Sequence, residues 1–467
     1  MMRRLYRDDG LTATVGAPSI VVPVGRCIGG TTVINAGTCF RTPDAVLHAW
    51  RAEAGAAALG PDAMRPYFDA VESFLGVAPV PDDLLGPNGA TVARGVRALG
   101  WSGGPIRRNA PGCRGRGLCI FGCPENAKQS MNISYVPRAA AAGARFVARC
   151  RAERVRLDHG EVREVLGRIV DPHGRARGWV RVACRAAAVA CGTLFTPLLL
   201  RRSDVADRSG QVGRNLRLHP ATRIVGLFPE RIESWRGVLQ GFYVDQFHDD
   251  GIMLETVSVH PGVLAAALPG FGRAAQEVMT RFAHMAVLGV MVHDDSRGQV
   301  RGAPGGLLLA TYRLGRDDIS RLQRGVAAGA RIMFAAGAQE VLTGIFGHET
   351  LRGEPDVRAL EESTRVRARD LELMSLHPMG TARLGADPDA AVVDEDLAVH
   401  GAEGLCVMDA SVFPTSLGVN PQISIMALTT RAARRLAERL GGRPRPFASA
   451  PAPRTFVDPA DPRSAPR

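Results

Sequence analysis

Two polar residues near the C-terminal end of the sequence have side chains that can act on the hydrogen of a hydroxyl group. His377 lies in the segment HPMGT, and Asn420 lies 420 − 377 = 43 positions later, in VNPQIS. An imidazole accepts a proton near neutral pH, and a carboxamide hydrogen-bonds an oxygen without competing for its proton. A histidine taken alone is more often structural than catalytic, so the pair needs support from the elements around it.

The C-terminal segment places Asn420 at the start of a helix. The sequence LCVMDASVFPTSLGVNPQISIMAL indicates a strand up to Met408, a loop, and a helix that begins at Asn420 and Pro421. Proline suits the first helical turn because its missing N–H would have no partner there. The free N–H groups of a helix start can stabilise an anion, although a helix that begins with proline is ordinary by itself.

Glycine turns occur at two earlier places. VPVGRCIGGTTVINAG contains Gly25, Gly29 and Gly30, and VACGTLFTPLLLRRS indicates a strand, a turn at Gly192 and a helix. Glycine lets the backbone approach a ligand closely because it has no Cβ atom. A strand followed by a turn and a helix also presents backbone N–H groups to an anionic ligand. A Gly-Gly turn in isolation is weak evidence for a binding site.

The order of these motifs resembles that of the glucose-methanol-choline (GMC) oxidoreductases. The resemblance is carried by VPVGRCIGGTTVINAG, CGTLFTPLLLRRS, VGRNLRLHP, HPMGTARLG and VMDASVFPTSLGVNPQISIMAL, in that order, within residues 19–440. It is weakest over residues 226–370, and its C-terminal part is most similar to the long-chain alcohol oxidases, with the cholesterol oxidases more distant. The resemblance implies an α/β fold, α+β overall, with a discontinuous FAD-binding domain and a six-stranded antiparallel substrate domain.

The division implied by this family places residues 1–45, 145–225 and 375–442 in the FAD-binding domain. Residues 46–144 and 226–374 then form the substrate-binding domain, and the Pro/Ala/Arg-rich residues 443–467 are predicted to be a disordered tail. Members of the family begin with a strand, a G-x-G-x-x-G turn and a helix, which this sequence lacks. We therefore expect an FAD-binding domain truncated at its N-terminus, with about 50 to 60 residues of a first βαβ unit absent.

The resemblance also implies roles for individual residues. His377 matches the catalytic histidine, which is expected to accept the hydroxyl proton while a hydride leaves the adjacent carbon for flavin N5. Asn420 matches the second active-site position, and Ile34 stands where some relatives carry a histidine bonded to the flavin, so FAD is expected to be non-covalent. The expected FAD contacts are Gly25, Gly29, Gly30, Thr31, Asn35, Ala152, Gly192, Thr193, Asp409, Ala410, Pro421 and Gln422.

A cysteine-rich loop lies between these motifs. Cys113, Cys119 and Cys123 have the spacing C-x5-C-x3-C, which is neither the paired CxxC of zinc sites nor a ferredoxin run. An iron–sulfur cluster stays open, because some sugar dehydrogenases of the family carry one, but the favoured interpretation is a structural loop capped by Lys128. His219, in GRNLRLHP, is expected to be structural.

Composition narrows the class of protein. A chain of 467 residues predicts two domains. The net charge of +12 comes from arginines spread along the chain, without the basic block that nucleic-acid binding favours. No run approaches the roughly 18 apolar residues of a membrane span, although peripheral association stays open. The nine cysteines show no disulfide pattern, so we expect a reducing, cytoplasmic compartment.

Together these features predict FAD-dependent oxidation of an alcohol to a carbonyl. The apolar character of residues 251–292 favours a long-chain or sterol-like alcohol, with oxygen or another electron acceptor as the second substrate. Two alternatives stay open. One is a truncated remnant without FAD that acts only as a binding protein, and the other is a dehydrogenase subunit that passes electrons to another acceptor.

Overall fold

The computed structural model describes residues 2–258, 260–265, 268, 272–304, 307–444 and 446–447. Most of the predicted tail, residues 443–467, lies outside these described residues. The α-helices are α1 Met2–Leu5, α2 Asp44–Glu53, α3 Pro61–Leu75, α4 Asp82–Leu99, α5 Tyr135–Ala141, α6 Thr196–Arg202, α7 Pro261–Ala265, α8 Gly272–Thr280, α9 Arg316–Ala335, α10 Glu354–Glu361 and α11 Gln422–Arg439.

The strands are mostly short, and several consist of two or three residues. They are β1 Ala78–Pro79, β2 Gly104–Pro105, β3 Arg107–Arg108, β4 Cys150–Asp158, β5 Glu161–Val170, β6 Ala176–Ala183, β7 Ala187–Val189, β8 Ala221–Leu227, β9 Phe242–Val244, β10 Ile252–Thr256, β11 Met285–Val292, β12 Gln299–Ala303, β13 Leu307–Thr311, β14 Glu340–Leu342, β15 Thr350–Leu351 and β16 Leu405–Val407.

The largest sheet is antiparallel and has the strand order β15-β14-β8-β11-β10-β9-β2. An antiparallel substrate sheet was predicted with six strands, and the described residues form seven. The difference lies at the edges, where β15 and β2 contribute two residues each. The central strands β10 and β11 are almost wholly buried, so both faces of this sheet are covered.

One face of the sheet packs against helices α9 and α4. Alternating residues of the central strands point to this side, among them Ile252, Leu254, Val290 and Val292. Together with Val326 and Met333 of α9 they form what we call the first core. The apolar residues of α9 recur at helical spacing, which explains why the sequence predicts a helix there. The sequence predicts this helix over residues 317–336, one residue later at each end than α9 itself.

The other half of the molecule is built around a second core. It contains Trp50 of α2, Phe68 of α3, Ile423 of α11 and Val407 of β16, and it includes Met253 and Met291 from the opposite face of the large sheet. The strands β7 and β16 pair in parallel, and β4, β5 and β6 form a separate antiparallel sheet at the predicted DHGE and DPHG turns.

The remaining predicted elements agree closely with the structure. The sequence pattern of residues 61–75 predicts a helix, and α3 spans the same residues. Helix α11 begins at Gln422, two residues after the start predicted at Asn420. Among the helices of the described residues, none combines the length and apolar character that crossing a bilayer demands. The domain boundaries stay a prediction. Helix α3, which that prediction gives to the substrate half, packs against α11.

Candidate active site

His377 and Asn420 lie close together at the junction of the two cores. The Nε2 atom of His377 and the Nδ2 atom of Asn420 are 3.4 Å apart. Asn420 is 7% exposed and precedes α11, whereas His377 is partly exposed and follows the loop that starts after Met374. The structure therefore brings together the two residues that the sequence predicts to act as a pair.

His219 contacts His377 and also the loop that leads to Asn420. An antiparallel bridge between Arg217 and Met379 aligns the two chain segments, and the Nδ1 atoms of His219 and His377 are 3.4 Å apart. The Nε2 atom of His219 accepts hydrogen bonds from the backbone N–H groups of Leu417 (3.1 Å) and Gly418 (2.9 Å). This residue thus connects the His377 loop to the loop that leads to Asn420.

These contacts fix the tautomer of both rings. Burial lowers the pKa of His219 well below its usual value, so its ring is neutral and carries one hydrogen. Because Nε2 accepts two hydrogen bonds, that hydrogen must lie on Nδ1, facing His377. Burial lowers the pKa of His377 to about 4. Neutral His377 accepts at Nδ1 and therefore carries its own hydrogen on Nε2, on the side of Asn420.

With this tautomer His377 is a donor at Nε2, and its proton-accepting role stays a prediction. An imidazole that accepts a proton from a substrate at Nε2 needs a free lone pair on that atom. In this arrangement His377 instead presents an N–H donor toward Asn420. The sequence identified the residue but not its hydrogen-bonding state, because that state depends on backbone groups nearly 200 residues away from His219.

A buried carboxylate, Asp294, holds the loop around His219. Its oxygens accept hydrogen bonds from the backbone N–H groups of Leu218 (2.8 Å) and His219 (3.1 Å) and from the hydroxyls of Tyr312 (2.7 Å) and Ser416 (2.7 Å). His219 has a positive φ of 49°, a strained conformation for a residue with a side chain. The expectation that His219 is structural stays a prediction, since the ring also contacts His377.

Glu255, in the middle of β10, contacts the other member of the pair. Its Oε2 atom accepts hydrogen bonds from Nε2 of Gln240 (2.8 Å) and Nδ2 of Asn420 (3.4 Å). Glu255 is 5% exposed, and burial raises its pKa to about 7, against the opposing effect of these two hydrogen bonds. Within the described residues, Oε1 of Glu255 and Oδ1 of Asn420 are buried without a hydrogen-bond partner.

The glycine turn near the N-terminus forms a tight cradle. A Cβ atom at Gly25 would lie 2.7 Å from backbone atoms of Gly30 and Thr31, and Thr31 Oγ1 accepts a hydrogen bond of 3.2 Å from the Gly25 N–H. Gly29 and Gly30 have positive φ values of 95° and 57°. At Gly30 an added Cβ would meet no described atom within 4 Å, so this side of the turn is open to a ligand.

The turn is joined directly to the start of α11. Nδ2 of Asn35 donates to Oε1 of Gln422 at 2.9 Å, and Nε2 of Gln422 donates to the Thr38 carbonyl at 2.6 Å. Pro421 stands between Asn420 and Gln422 and needs no N–H partner. The predicted contacts Thr31, Asn35, Pro421 and Gln422 are therefore held in one region of the molecule.

The second glycine turn is held by Asp409. Its Oδ2 atom accepts hydrogen bonds from the Gly192 N–H (2.9 Å) and from Oγ1 of Thr196 (2.5 Å). Thr193 donates from Oγ1 to the carbonyl of Pro378 at 2.7 Å, and the Ala410 carbonyl accepts from the Gly380 N–H at 3.1 Å. These contacts connect the turn at Gly192 to the loop of His377. Ala152 lies apart from them on β4 and packs against the second core.

The features of the two turns fit a bound FAD. Gly30 and Gly192 have positive φ values and space beside the backbone, as a close backbone contact with a phosphate or a ring requires. The hydroxyl of Ser411 and the amide oxygen of Asn420 are buried without partners among the described residues. Ile34 is 5% exposed and offers no atom for a covalent bond to the cofactor.

Two thiols of the cysteine loop lie beside the Arg108 guanidinium. Nη2 of Arg108 donates to Sγ of Cys119 at 3.1 Å and Nη1 lies 3.9 Å from Sγ of Cys113, while the backbone N–H of Lys128 donates to Sγ of Cys123. In the part of the chain that the structure describes, no group of three or more His, Cys, Asp or Glu side chains has the arrangement needed to hold a metal ion.

Comparison with known families and proteins agrees with the motifs. Models of the GMC oxidoreductase family match residues 2–221 with their N-terminal part and residues 294–429 with their C-terminal part. The chain is 40% identical to an uncharacterised GMC-type oxidoreductase of Mycobacterium tuberculosis, over 94% of this chain and 68% of that protein. It is 27% identical to a long-chain-alcohol oxidase of Arabidopsis thaliana, over 89% of this chain and 58% of that protein.

The solved structures agree with these matches at the level of the fold. Pyridoxine 4-oxidase from Mesorbium loti has a TM-score of 0.68 at 20% identity, covering 90% of this chain and 87% of that chain. A fungal aryl-alcohol oxidase has a TM-score of 0.65 at 16% identity, covering 92% and 89%. The family matches extend over more than half of the chain, and this chain is therefore an oxidoreductase of the GMC family.

Proposed function

We propose that this chain oxidises an alcohol CH–OH group to a carbonyl with the help of non-covalently bound FAD. The observation that carries the proposal is the convergence of His377 and Asn420 on one point, between the glycine turn at Gly25–Thr31 and the large antiparallel sheet. When bound, FAD would supply the acceptor for the hydride that leaves the alcohol carbon. The name of the Arabidopsis relative, a long-chain-alcohol oxidase, supports this reaction.

The residues that would hold FAD are those of the two turns. The open backbone at Gly30, with Gly29 and Thr31 on either side of it, would lie beside the cofactor, and the Gly192 turn held by Asp409 would provide a second contact. The buried Ile34 is consistent with non-covalent binding. The remaining residues are proposed either to contact FAD or to support these turns: Asn35, Ala152, Thr193, Ala410, Pro421 and Gln422.

His377 and Asn420 would bind the oxygen of the alcohol. With its hydrogen on Nε2, His377 donates to that oxygen, and Nδ2 of Asn420 donates to it from the other side. Two donors fix the oxygen and stabilise the negative charge that it carries once its proton has left and before the hydride leaves the adjacent carbon. The predicted role of His377 as acceptor of the hydroxyl proton requires its other tautomer, with a free lone pair on Nε2.

The apolar segment 251–292 and the similarity to long-chain-alcohol oxidases support an apolar alcohol, either long-chain or sterol-like, as the substrate. Oxygen or another electron acceptor would reoxidise the flavin. All nine cysteines lie in the described residues and are free, which supports a reducing, cytoplasmic location.

The test is anaerobic reduction of FAD bound to the purified chain by a fatty alcohol such as dodecanol. We expect the visible flavin absorption to bleach, and His377→Ala to slow this step by about 10²-fold, because one donor to the developing charge is lost. The matched control is His48→Ala, an exposed histidine on α2, which should bleach at the unchanged rate. Bound FAD that no alcohol reduces would refute the proposal, and a chain that binds no FAD would favour the binding-protein alternative.

A further inference from the structure

The sheet of β4, β5 and β6 turns one face toward the second core and the other face away from it. Val155 of β4 is buried in that core, and its cross-strand partner Val165 on β5 packs against the same core. Side chains on a strand alternate between the two faces, so the chain neighbours of these valines point outward. This outer face, which we call the arginine face, carries Arg151, Arg154, Arg156, Arg168, Arg177 and Arg181.

The register of the sheet places the residues of the arginine face in rows. Arg151, Arg168 and Trp179 lie opposite one another on β4, β5 and β6. In the next row, Arg154 on β4 and Arg181 on β6 lie on either side of β5. Because cross-strand partners share one face of a sheet, their guanidinium groups form a flat, regularly spaced array.

The arginine face carries more positive than negative charge, since each carboxylate within it is shared. Glu164 pairs with both Arg156 (2.9 Å) and Arg181 (2.6 Å), and Glu153 is shared by two arginines of the face and one of α6. Residues 145–185 contain eleven arginines and five carboxylates, so they carry an excess of six positive charges, half of the chain's +12. The strand alternation that gathers these arginines also keeps them apart in the sequence, where no continuous basic run is visible.

Trp179 adds an apolar group to the arginine face. It is 63% exposed, and the guanidinium of Arg168 lies 4.5 Å from the centroid of its ring. Stacking on a ring lets a cation enter a less polar region together with that ring. Two further exposed apolar residues, Phe146 and Val147, lie within five residues of Arg151 in the chain. An exposed tryptophan beside cationic side chains is favoured at the boundary between a bilayer and water.

We propose that the arginine face is a docking surface for a bilayer that contains anionic phospholipids. The planar guanidinium groups suit lipid phosphates, and Trp179 would enter the headgroup region. A single-stranded nucleic acid would also match the charge, but its bases stack on several aromatic rings, and Trp179 is the one ring among the outward-facing residues of the described strands. The choice of a bilayer also rests on the proposed function, because an apolar alcohol partitions into a membrane.

The first experiment is cosedimentation of the full chain with vesicles of equal parts phosphatidylcholine and phosphatidylglycerol, and with vesicles of phosphatidylcholine alone. We expect binding to the anionic vesicles that weakens as salt screens the exposed charges, and much weaker binding to the neutral ones. The double variant Arg151→Gln/Arg181→Gln leaves Glu153 and Glu164 paired with other arginines. It should bind the anionic vesicles about 30-fold more weakly, on the order of 5-fold for each arginine.

The double variant Arg236→Gln/Arg358→Gln is the matched control. Both arginines are exposed and lie outside the sheet of β4, β5 and β6, and each shares its carboxylate with another arginine. Because the change in net charge is the same, this variant should bind the anionic vesicles as tightly as the wild type. Equal weakening in both double variants would show attraction by overall charge and overturn the proposal, as would a wild type that does not bind the anionic vesicles.

A fluorescence measurement tests which surface contacts the bilayer. Brominated lipids quench a tryptophan that enters the headgroup and upper acyl region. We expect the vesicles to quench the wild type and not Trp179→Phe, because the other three tryptophans pack against core residues or an aromatic ring. Equal quenching in Trp179→Phe would show docking through another surface, and the proposal would then be wrong.

Neither measurement requires FAD or an alcohol, so the docking surface and the proposed function can fail separately. If the vesicles bind as expected but no alcohol reduces the bound flavin, the proposed function fails and the docking surface stands. If alcohols reduce the flavin but the anionic vesicles do not bind, the docking surface fails. Titration with a single-stranded oligonucleotide completes the test: binding that depends on Arg151 and Arg181, without vesicle binding, would assign the arginine face to nucleic acid instead.

Discussion

His219 contacts the segments that hold both members of the proposed reacting pair, His377 and Asn420. Its ring is fully buried, and it is clamped at Nε2 by two backbone N–H groups of the loop that precedes Asn420. Its Nδ1 hydrogen faces His377. A single imidazole thus supports one partner through the backbone and sets the tautomer of the other, which makes His219 a positioning residue.

Two substitutions of His219 separate its support of the loop from its contact with His377. His219→Leu leaves two buried N–H groups without an acceptor, at about 1–3 kcal/mol each, so we expect the free energy of unfolding to fall by about 2–6 kcal/mol. His219→Gln retains an acceptor oxygen and should recover most of this loss in denaturant unfolding. Flavin reduction should stay about 10-fold slower in His219→Gln, because His377 loses its fixed tautomer; recovery of both stability and rate would show that the role is structural alone.

The residues of the candidate site differ in how far the sequence predicts them. His377 and Asn420 stand in motifs whose order is specific, and the structure brings them within hydrogen-bonding reach. Glu255 and Asp294 have no such signal. Glu255 lies inside the buried strand IMLET, where a charged residue is unexpected, and this anomaly is the one local sign that the sequence offers. Its partners Gln240 and Asn420 come from the loops that precede β9 and α11, which only the tertiary fold brings together.

At the scale of elements, Lys128 holds the cysteine loop against the glycine turn. Its Nζ atom donates to the carbonyls of Val33 (2.8 Å), Asn35 (2.6 Å) and Cys119 (2.9 Å). Lys128 is 1% exposed, and burial lowers its pKa to about 8. These contacts support the structural interpretation of the loop and explain how a segment without regular strands keeps Asn35 in position.

Replacing Lys128 by methionine should destabilise the protein, because three buried carbonyls lose their donor. We expect the free energy of unfolding at pH 7 to fall by about 2 kcal/mol or more. Above pH 8 the folded wild type releases the Lys128 proton while the unfolded chain keeps it, so wild-type stability gains up to about 3 kcal/mol by pH 10.5. The gap between wild type and Lys128→Met in denaturant unfolding should therefore widen with pH. Arg116→Met, an exposed change in the same loop, should show no widening, and a constant gap for Lys128→Met would contradict the buried-charge argument.

At the scale of the whole molecule, the large antiparallel sheet belongs to both cores. Leu254 and Val290 point into the first core, and Met253 and Met291, their neighbours along the same strands, point into the second. Side chains on a strand alternate between the two faces. Neither core can therefore lose its packing without exposing apolar side chains of β10 and β11.

This shared sheet predicts that the two halves unfold together. Trp50 reports on the second core and Trp101 packs against the first. We would make two variants, each retaining one of these two tryptophans, with the other three replaced by phenylalanine. The tryptophan fluorescence of both variants should give the same denaturant midpoint, and circular dichroism should give that midpoint too. Two separated midpoints would show that the halves unfold as independent domains.

The architecture was predictable where local pattern and motif agree. Helices α3, α9 and α11 follow from apolar spacing and from proline at a helix start, and the antiparallel sheet follows from the family resemblance. Short edge strands such as β2 and β15 were not predictable, because a two-residue strand such as Gly104–Pro105 forms only when a neighbouring strand offers free backbone groups. Likewise, the division into sequence ranges does not reveal that both cores share one sheet.

The burial of Lys128 has a practical consequence for chemical modification. The sequence contains no other lysine, and this amine is enclosed by three carbonyl groups. Three common procedures need an accessible lysine amine: acylation, cross-linking with bifunctional amine reagents, and immobilisation through surface lysines. Folded protein offers them no lysine, so the appearance of acylated Lys128 would be a direct chemical signal that the cysteine loop has opened.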